Sequence, residues 1–356
     1  MTDICTTPLA FPSADGASTV RGVLWQASSG SAAEQPRAIV QLIHGMAEHI
    51  GRYEAFARFL AEQGFAVCGH DHIGHGGTAD APERLGLMPA KDGADVLVAD
   101  VQGLRERVAA RFPSGTPYFM FGHSMGSLVL RCYLPVHGQG LAGAVICGTA
   151  MPPRLVSKAG NLLARAVVAL CGADAKSALL HRLADGAYSH AIPDARTPFD
   201  WLSRDPEVVD AFAADERAGF MFSAGAYAAL TGAAYRAAAP AAFEGVPKGL
   251  PVLVMAGDHD PVGDDGRAPE RVARRLEQAG VRDVTLVLYP GMRHEVLNEV
   301  GREEVWADVL AWLEAHEGSG REGEGSALAA QPAAPADQLA TAPAQPSAAP
   351  EGGERP

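Results

Sequence analysis

Short apolar runs and helical stripes of apolar residues alternate along most of the chain. Runs typical of buried strands cover residues 38–43, 65–68, 118–121, 143–147, 251–255 and 285–289. Between and after them, apolar residues recur at helical spacing in 53–60, 97–108 and 305–313. This alternation predicts βαβ units and a mostly parallel sheet with helices on both faces, which is an α/β fold. Residues 18–26 are expected to form an antiparallel hairpin at one edge.

One interval interrupts this alternation. About a hundred alanine-rich residues with helical periodicity and no clear strand separate the run ending near 148 from the run starting near 251. We predict a helical cap, inserted at about 152–245, over the sheet edge where open α/β sheets bind ligands. Its apolar stretch 162–170 is too short to span a bilayer. It is either a helix packed on the cap and sheet or a lipid-facing lip through which acyl chains enter.

The last forty residues have a different composition from the rest. Residues 317–356 contain eleven Ala, six Pro and six Gly and no aromatic residue. Such a segment buries too little apolar surface to offset its chain entropy, so we predict a disordered tail. The expected organisation is one α/β domain over 1–316, carrying the cap, followed by the tail 317–356.

Charge and cysteine usage narrow the class of protein. The 356 residues carry 42 acids and 29 bases, a net charge of −13 without a basic face, which disfavours a nucleic-acid partner. The N-terminus has an acid, Asp3, where a secretory signal needs a basic region, so a cytoplasmic location is expected. The five cysteines lack CxxC spacing and are expected to be small buried hydrophobes: Cys5, Cys68, Cys132, Cys147 and Cys171.

Residues 122–126 read Gly-His-Ser-Met-Gly and fit the pattern G-x-S-x-G. The pattern alone is weak, but a predicted strand, 118–121, leads into it and a helical run, 127–136, leaves it. That strand–turn–helix order is typical of a nucleophile elbow, in which flanking glycines relieve crowding around a strained serine. Ser124 is therefore the predicted nucleophile.

A serine hydroxyl needs an imidazole to take its proton and a carboxylate to orient that imidazole. On this fold the acid and then the histidine follow the serine along the chain, in loops after later strands. His294 is accordingly the predicted general base. Asp260 is preferred as the acid because it lies further into its loop and precedes Pro261, whereas Asp258 is expected to cap the turn.

An oxyanion hole requires two backbone N–H groups aimed at the carbonyl oxygen, and each donor contributes about 3 kcal/mol. The residue after the nucleophile, Met125, supplies one predicted donor. The turn after an earlier strand, His44-Gly45-Met46, supplies the second through Met46.

Several motifs together resemble the monoacylglycerol lipase and lysophospholipase branch of the α/β-hydrolase superfamily. They are the H-G-x-x-E-H-x-x-R-Y block at 44–53, the histidine-rich segment 70–76, the elbow 122–127, and the loops of Asp260 and His294. The cap stretch 196–205 and the last loop, 294–299, also resemble bacterial members. The resemblance spans about residues 20 to 315. It implies the α/β-hydrolase fold, a Ser124–Asp260–His294 triad, and an oxyanion hole at Met46 and Met125.

Two groups of polar residues have rival interpretations. His44, His49, His70, His72, His75 and Asp71 suggest a metal site, but the resemblance favours loop residues whose hydrogen bonds brace the oxyanion turn. Glu48 and Arg52 are expected to form a structural i, i+4 pair. No metal and no cofactor are predicted.

The expected function is that of a serine carboxylic-ester hydrolase acting on lipid-like monoesters, monoacylglycerols or lysophospholipids, through an acyl-enzyme on Ser124. Its partner is a small-molecule lipid ester, and the cap is expected to make a transient contact with a membrane surface. The alternative is a serine aminopeptidase or another hydrolase, such as a carbon–carbon bond hydrolase, on the same fold. An aminopeptidase would need acidic residues that hold a substrate amine. A binding protein without activity is disfavoured because every triad candidate is present.

Overall fold

A single sheet forms the centre of the computed structural model, which describes residues 3–28, 35–184, 186 and 188–318. Its strands are β1 (Ile4–Pro12), β2 (Thr19–Ala27), β3 (Ile39–Ile43), β4 (Ala66–Asp71), β5 (Tyr118–His123), β6 (Gly143–Cys147), β7 (Val252–Gly257) and β8 (Val284–Tyr289). Their order in the sheet is β1-β2-β4-β3-β5-β6-β7-β8. Strands β3 to β8 run parallel, and β1 and β2 are antiparallel to their neighbours. The predicted mostly parallel α/β sheet is therefore confirmed.

Helices cover both faces of this sheet. They are α1 (Glu54–Glu62), α2 (Gly93–Ala109), α3 (Met125–His137), α4 (Arg154–Cys171), α5 (Ala178–Ala184), α6 (Pro206–Ala214), α7 (Ala224–Ala237), α8 (Pro240–Glu244), α9 (Arg267–Gln278) and α10 (Arg302–His316). Helices α1 and α10 bury their apolar stripes on one face, for example through Phe56 and Val309. Helices α2, α3 and α9 do so on the other face, for example through Leu97 and Val272. Each such side chain contributes about 1.5–3 kcal/mol on burial.

The N-terminal hairpin is larger than predicted. The sequence predicts an edge hairpin over residues 18–26, but residues 19–26 all lie within the single strand β2. Its partner is β1, so β1 is the edge strand and β2 pairs with β4 on its other side. Only Leu9 and Phe11 are buried in β1, and Thr6, Thr7 and Pro8 precede them without an apolar alternation, so the strand is hard to recognise in the sequence.

Helices α4 to α8 lie between β6 and β7, in the interval predicted to hold the cap. Helix α7 is alanine-rich and mostly buried, and it packs against α2 and α3 on one side and α4 on the other. Small side chains allow these helices to approach closely. The outer helix α4 buries only Ser157 and Ala164.

The cysteines and the C-terminal tail were the subject of two further predictions. Cys68, Cys132 and Cys147 are buried, but Cys5 and Cys171 are exposed, so the expectation of five buried cysteines is wrong for these two. Cys5 lies on the edge strand β1, and Cys171 is the last residue of the outer helix α4. The predicted tail lies outside the described residues from 319 onward. No helix among the described residues is long and apolar enough to cross a bilayer.

Candidate active site

The predicted site residues follow the carboxyl ends of four parallel strands. Met46 comes after β3, Ser124 after β5, Asp260 after β7 and His294 after β8. Parallel strands end at the same edge of a sheet, so these loops converge there. Met46, Ser124, Met125 and His294 line one cavity of about 570 Å³ beneath the helices inserted between β6 and β7.

Ser124 has a backbone conformation that few side-chain-bearing residues adopt, with φ +52° and ψ −119°. Its amide donates to the Cys147 carbonyl over 3.0 Å, and its carbonyl accepts from the Ser127 amide over 2.9 Å. A Cβ atom at Gly122 would come within 2.6 Å of the Gly126 carbonyl oxygen, so Gly122 must lack a side chain. These contacts hold Ser124 at a sharp turn between β5 and α3, facing the cavity.

Asp260, not Asp258, contacts the imidazole of His294. The distance between His294 Nδ1 and Asp260 Oδ2 is 2.9 Å, and both residues are buried. Because an ionised carboxylate only accepts hydrogen bonds, Nδ1 carries the hydrogen and Nε2 is left to receive a proton. Asp258 instead accepts a 2.6 Å hydrogen bond from the Gly291 amide, which stabilises the turn after β8.

The turn after β3 is held by hydrogen bonds on both sides of Met46. The Gly45 amide donates to Glu48 Oε1 over 2.5 Å, and the Ala47 amide donates to His75 Nε2 over 3.2 Å. Ala47 itself has a left-handed backbone, with φ +52°. The turn is therefore fixed through its neighbours while Met46 stays at the cavity.

The amides of Met46 and Met125 are available as donors. Within the described part of the chain, neither amide donates a hydrogen bond to another protein group. Met125 is the first residue of α3, where the N-terminal N–H groups lack helical partners and the helix dipole favours negative charge. The two predicted oxyanion donors therefore border the same cavity as Ser124.

Buried histidines surround the oxyanion turn. His44 contacts the Gly45 carbonyl through Nδ1 at 2.8 Å and accepts from the His72 amide over 3.0 Å. Burial lowers the pKa of His70 and of His75 to about 4 each, so both rings are neutral near pH 7. Among the residues that the structure describes, no three His, Cys, Asp or Glu side chains are grouped to hold a metal ion. The ring hydrogen bonds of His44 and His75 brace the turn, whereas the ring nitrogens of His70 and His72 have no hydrogen-bond partner among the described residues.

A buried ion network lies behind the cavity. Arg52 bonds Glu48 over 2.8 Å and both carboxylate oxygens of Glu295 over 2.5 and 2.7 Å. His123 contacts the Tyr53 hydroxyl at 2.9 Å through Nδ1 and the His294 carbonyl at 3.2 Å through Nε2. Burial alone would raise the pKa of Glu48, but His123, whose Nδ1 lies 3.5 Å from Glu48 Oε1, and the charge of Arg52 hold it well below its usual range. The network joins the oxyanion turn, the elbow and the His294 loop.

The cavity wall is mainly apolar, and the inserted helices and loops supply much of it. Lining residues from this insertion include Leu163, Leu180, Phe199, Trp201, Phe220 and Leu230. The carboxylates among the described lining residues are Glu48 and Glu295, and both are paired with Arg52. The cavity therefore suits a flexible apolar group better than a cation.

Residues 34–301 match the family described as Serine aminopeptidase, S33. The chain belongs to this family of α/β-hydrolases. A monoacylglycerol lipase of Mycolicibacterium smegmatis is 32% identical over 289 residues, covering 79% of this chain and 89% of the relative. The human monoglyceride lipase is 27% identical over 284 residues, covering 78% and 82%. A thermostable carboxyl esterase of Bacillus coagulans, solved with glycerol, superimposes with a TM-score of 0.80 at 30% identity, covering 88% and 99%. The chain is thus a carboxylic-ester hydrolase.

Sequence reasoning missed several contacts in this S33-family hydrolase. Trp201, from the inserted segment, places its ring 5.2 Å from the imidazole of His294. His123, one of the two variable residues of the elbow motif, lies 4.7 Å from the same ring. Glu295, next to the predicted base, closes the network with Arg52. Each of the three residues lies in a motif on which the family resemblance is based, but only the fold shows which side chains are in contact.

Proposed function

We propose that this hydrolase cleaves lipid-like monoesters, monoacylglycerols or lysophospholipids, through an acyl-enzyme on Ser124. The observation that carries the proposal is a serine in a strained elbow at an apolar cavity that also receives His294, itself hydrogen-bonded to Asp260. An activated serine beside an acyl-sized apolar cavity is the combination that such a substrate requires.

In the proposed mechanism, His294 removes the hydroxyl proton of Ser124 while the Ser124 oxygen attacks the ester carbonyl. Asp260 stabilises the imidazolium that forms, and the amides of Met46 and Met125 stabilise the oxyanion of the tetrahedral intermediate. His294 then protonates the departing alcohol. Water, activated by the same imidazole, attacks the acyl-enzyme and releases the fatty acid and free Ser124.

The first experiment is Ser124→Ala, assayed by fluorophosphonate labelling and by turnover of p-nitrophenyl esters. Both signals should fall to background, because the nucleophile is gone. Ser114→Ala, an exposed serine before β5, is the matched control and should label as the wild type does. Labelling that survives in Ser124→Ala would refute the assignment of the nucleophile.

Substrate class is tested by hydrolysis rates on monoacylglycerols, lysophospholipids and short p-nitrophenyl esters of graded acyl length. We expect kcat/KM to rise with acyl length as apolar surface is buried in the cavity. A preference for acetyl esters would reject the lipid substrate and leave the serine mechanism in place.

An aminopeptidase would need a cavity lining that binds the amino group of its substrate. A substrate amine needs an uncommitted carboxylate, but Glu48 and Glu295 are both paired with Arg52. We therefore expect aminoacyl p-nitroanilides to be hydrolysed at least about 100-fold more slowly than acyl esters, the size of effect expected when a buried charge lacks a partner. Comparable rates would favour the peptidase.

We also propose that α4 contacts membrane surfaces transiently. Leu155, Leu162 and Leu170 are 60–85% exposed, and α4 contains Arg154, Lys158 and Arg165 but no acid. Apolar and basic side chains on one helix match an anionic interface. The protein should sediment with phosphatidylglycerol vesicles more than with phosphatidylcholine vesicles, and Leu155→Glu with Leu162→Glu should reduce that binding. Equal sedimentation of the variant and the wild type would reject this contact.

A further inference from the structure

A short part of the inserted region is bonded directly to the loop of the proposed base. The Glu295 amide donates to the Leu202 carbonyl over 2.8 Å, and the His294 amide to the Trp201 carbonyl over 3.4 Å. The Arg293 guanidinium donates to the carbonyl oxygens of Asp200 and Ser203. Residues 200–204, which we call the brace segment, therefore extend the framework of the catalytic loop.

A second set of bonds closes the far end of the brace segment. The backbone amide and Nε of Arg204 donate to the two oxygens of Glu299, each over 3.0 Å. The Arg293 amide donates to the same carboxylate over 2.8 Å, and Glu299 is fully buried. A buried carboxylate with several donors fixes the segment far more firmly than a surface contact would.

Trp201 projects from the middle of this segment onto the proposed base. Its ring centroid lies 5.2 Å from that of His294 with an interplanar angle of 44°. The ring of Tyr188 lies 5.2 Å from Trp201 on the cavity side. Trp201 is half-buried and lines the same cavity as Ser124.

We infer that Trp201 is a positioning residue, which sets the plane of the His294 imidazole so that Nε2 faces Ser124. The inference rests on the proposed serine mechanism. A hydrogen bond from Nδ1 to Asp260 fixes one atom of the ring, but rotation about the Cβ–Cγ bond of a histidine has only a broad preference. Contacts with the rings of Trp201 and His123 restrict that rotation. Small misplacements of a reacting group can cost about 100-fold in rate.

The test compares Trp201→Phe, which keeps an aromatic ring, with Trp201→Met, which has none. Values of kcat and KM are measured on p-nitrophenyl acetate and p-nitrophenyl decanoate. We expect Trp201→Met to lower kcat by about 10- to 100-fold on both esters, and Trp201→Phe to stay within about threefold of the wild type. Trp306→Phe and Trp306→Met, on α10 against Phe59, are the matched controls and should retain the wild-type kcat.

A purely lining role for Trp201 would give a different result: KM for the decanoate ester would change and kcat for the acetate ester would not. That result, or equal losses in the Phe and Met variants, would overturn the inference. Trp201→Leu gives the same ring-against-no-ring comparison if Trp201→Met fails to fold.

The rate of fluorophosphonate labelling separates this inference from the proposed function. A wild type that does not label rejects the serine mechanism. A wild type that labels, with Trp201→Met labelling equally fast, rejects the positioning role alone.

Discussion

The two walls of the active-site cavity are built differently. On the sheet side, Glu48 and Arg52 have side chains only 4% and 11% exposed, and Arg52 is joined to the loop of the proposed base through Glu295. On the outer side, α4 lines the cavity through Leu163 and Ala164, whereas Leu155 and Leu170 of the same helix are 81% and 85% exposed to solvent. Buried charged networks hold one geometry, whereas apolar contacts adapt to different shapes. The contrast indicates that chemistry is fixed on the sheet side and that substrate fit is set on the outer side.

The brace segment shows that this division does not follow the chain. Residues 200–204 belong to the insertion between β6 and β7, yet their hydrogen bonds go to the loop after β8. Position in space, and not membership of an insertion, decides which wall a residue serves. Removing the whole insertion should therefore disable the catalytic loop along with the substrate cavity.

The largest effect on activity is expected when the Asp260 carboxylate beside His294 is lost. We expect Asp260→Asn to lower kcat by about 10³- to 10⁴-fold, because the imidazole loses its orienting and charge-stabilising partner. Asp258→Asn is the matched control, two residues away and bonded to the turn, and should change kcat only a few-fold. The measurement is the steady-state kcat of each variant on a p-nitrophenyl ester. Similar losses in both variants would contradict the assignment of Asp260 as the acid of the triad.

The ion network predicts a large effect on stability. Arg52→Met leaves Glu48 and Glu295 buried without their cation and should lower the free energy of unfolding by about 3–5 kcal/mol. Arg58, paired with Glu54 at the same i, i+4 spacing but about 40% exposed, offers a control. Arg58→Met should cost about 0.5 kcal/mol or less in urea unfolding. Equal losses would mean that burial of the network does not matter.

The buried histidines behind the oxyanion turn predict acid sensitivity. The folded protein holds the pKa of His70 near 4, below the usual 6.5, so the unfolded chain binds the extra proton as the pH falls. The contribution of His70 to the free energy of unfolding is fully present above pH 6.5. It is lost progressively as the pH falls toward 4, and the loss amounts to about 3 kcal/mol.

Urea unfolding between pH 7 and 4.5 measures the slope of the free energy of unfolding against pH. His70→Phe should make it shallower by about one proton, because one titrating ring is gone. His190→Gln, at an exposed position, should leave the slope unchanged. An unchanged slope in His70→Phe would show that this ring does not contribute.

The sequence predicted the parallel sheet because its buried strands appear as short, continuous apolar runs that alternate with helical stripes. It also predicted that Ser124, Asp260 and His294 lie at one edge of the sheet, because each lies in a loop that follows a predicted strand. Strand β1 could not be predicted, because only Leu9 and Phe11 of its nine residues are buried and so short an alternation does not stand out in the sequence. Contacts such as Trp201 with His294 join residues 93 positions apart, and no local pattern encodes which ring lies over which.

The smallest effect is expected on the solvent-exposed surface of α4. Leu170→Ala, near the end of α4, should change the free energy of unfolding by no more than about 0.5 kcal/mol, because its side chain is 85% exposed. Leu97→Ala, fully buried on α2, is the matched truncation and should cost about 2–5 kcal/mol through lost burial and the cavity left behind. Urea unfolding of both variants measures the difference between an exposed position on α4 and a buried position on α2. A cost above about 1 kcal/mol for Leu170→Ala would mean that the end of α4 packs against the rest of the protein, and the contrast between a fixed sheet side and an adaptable outer side would then fail.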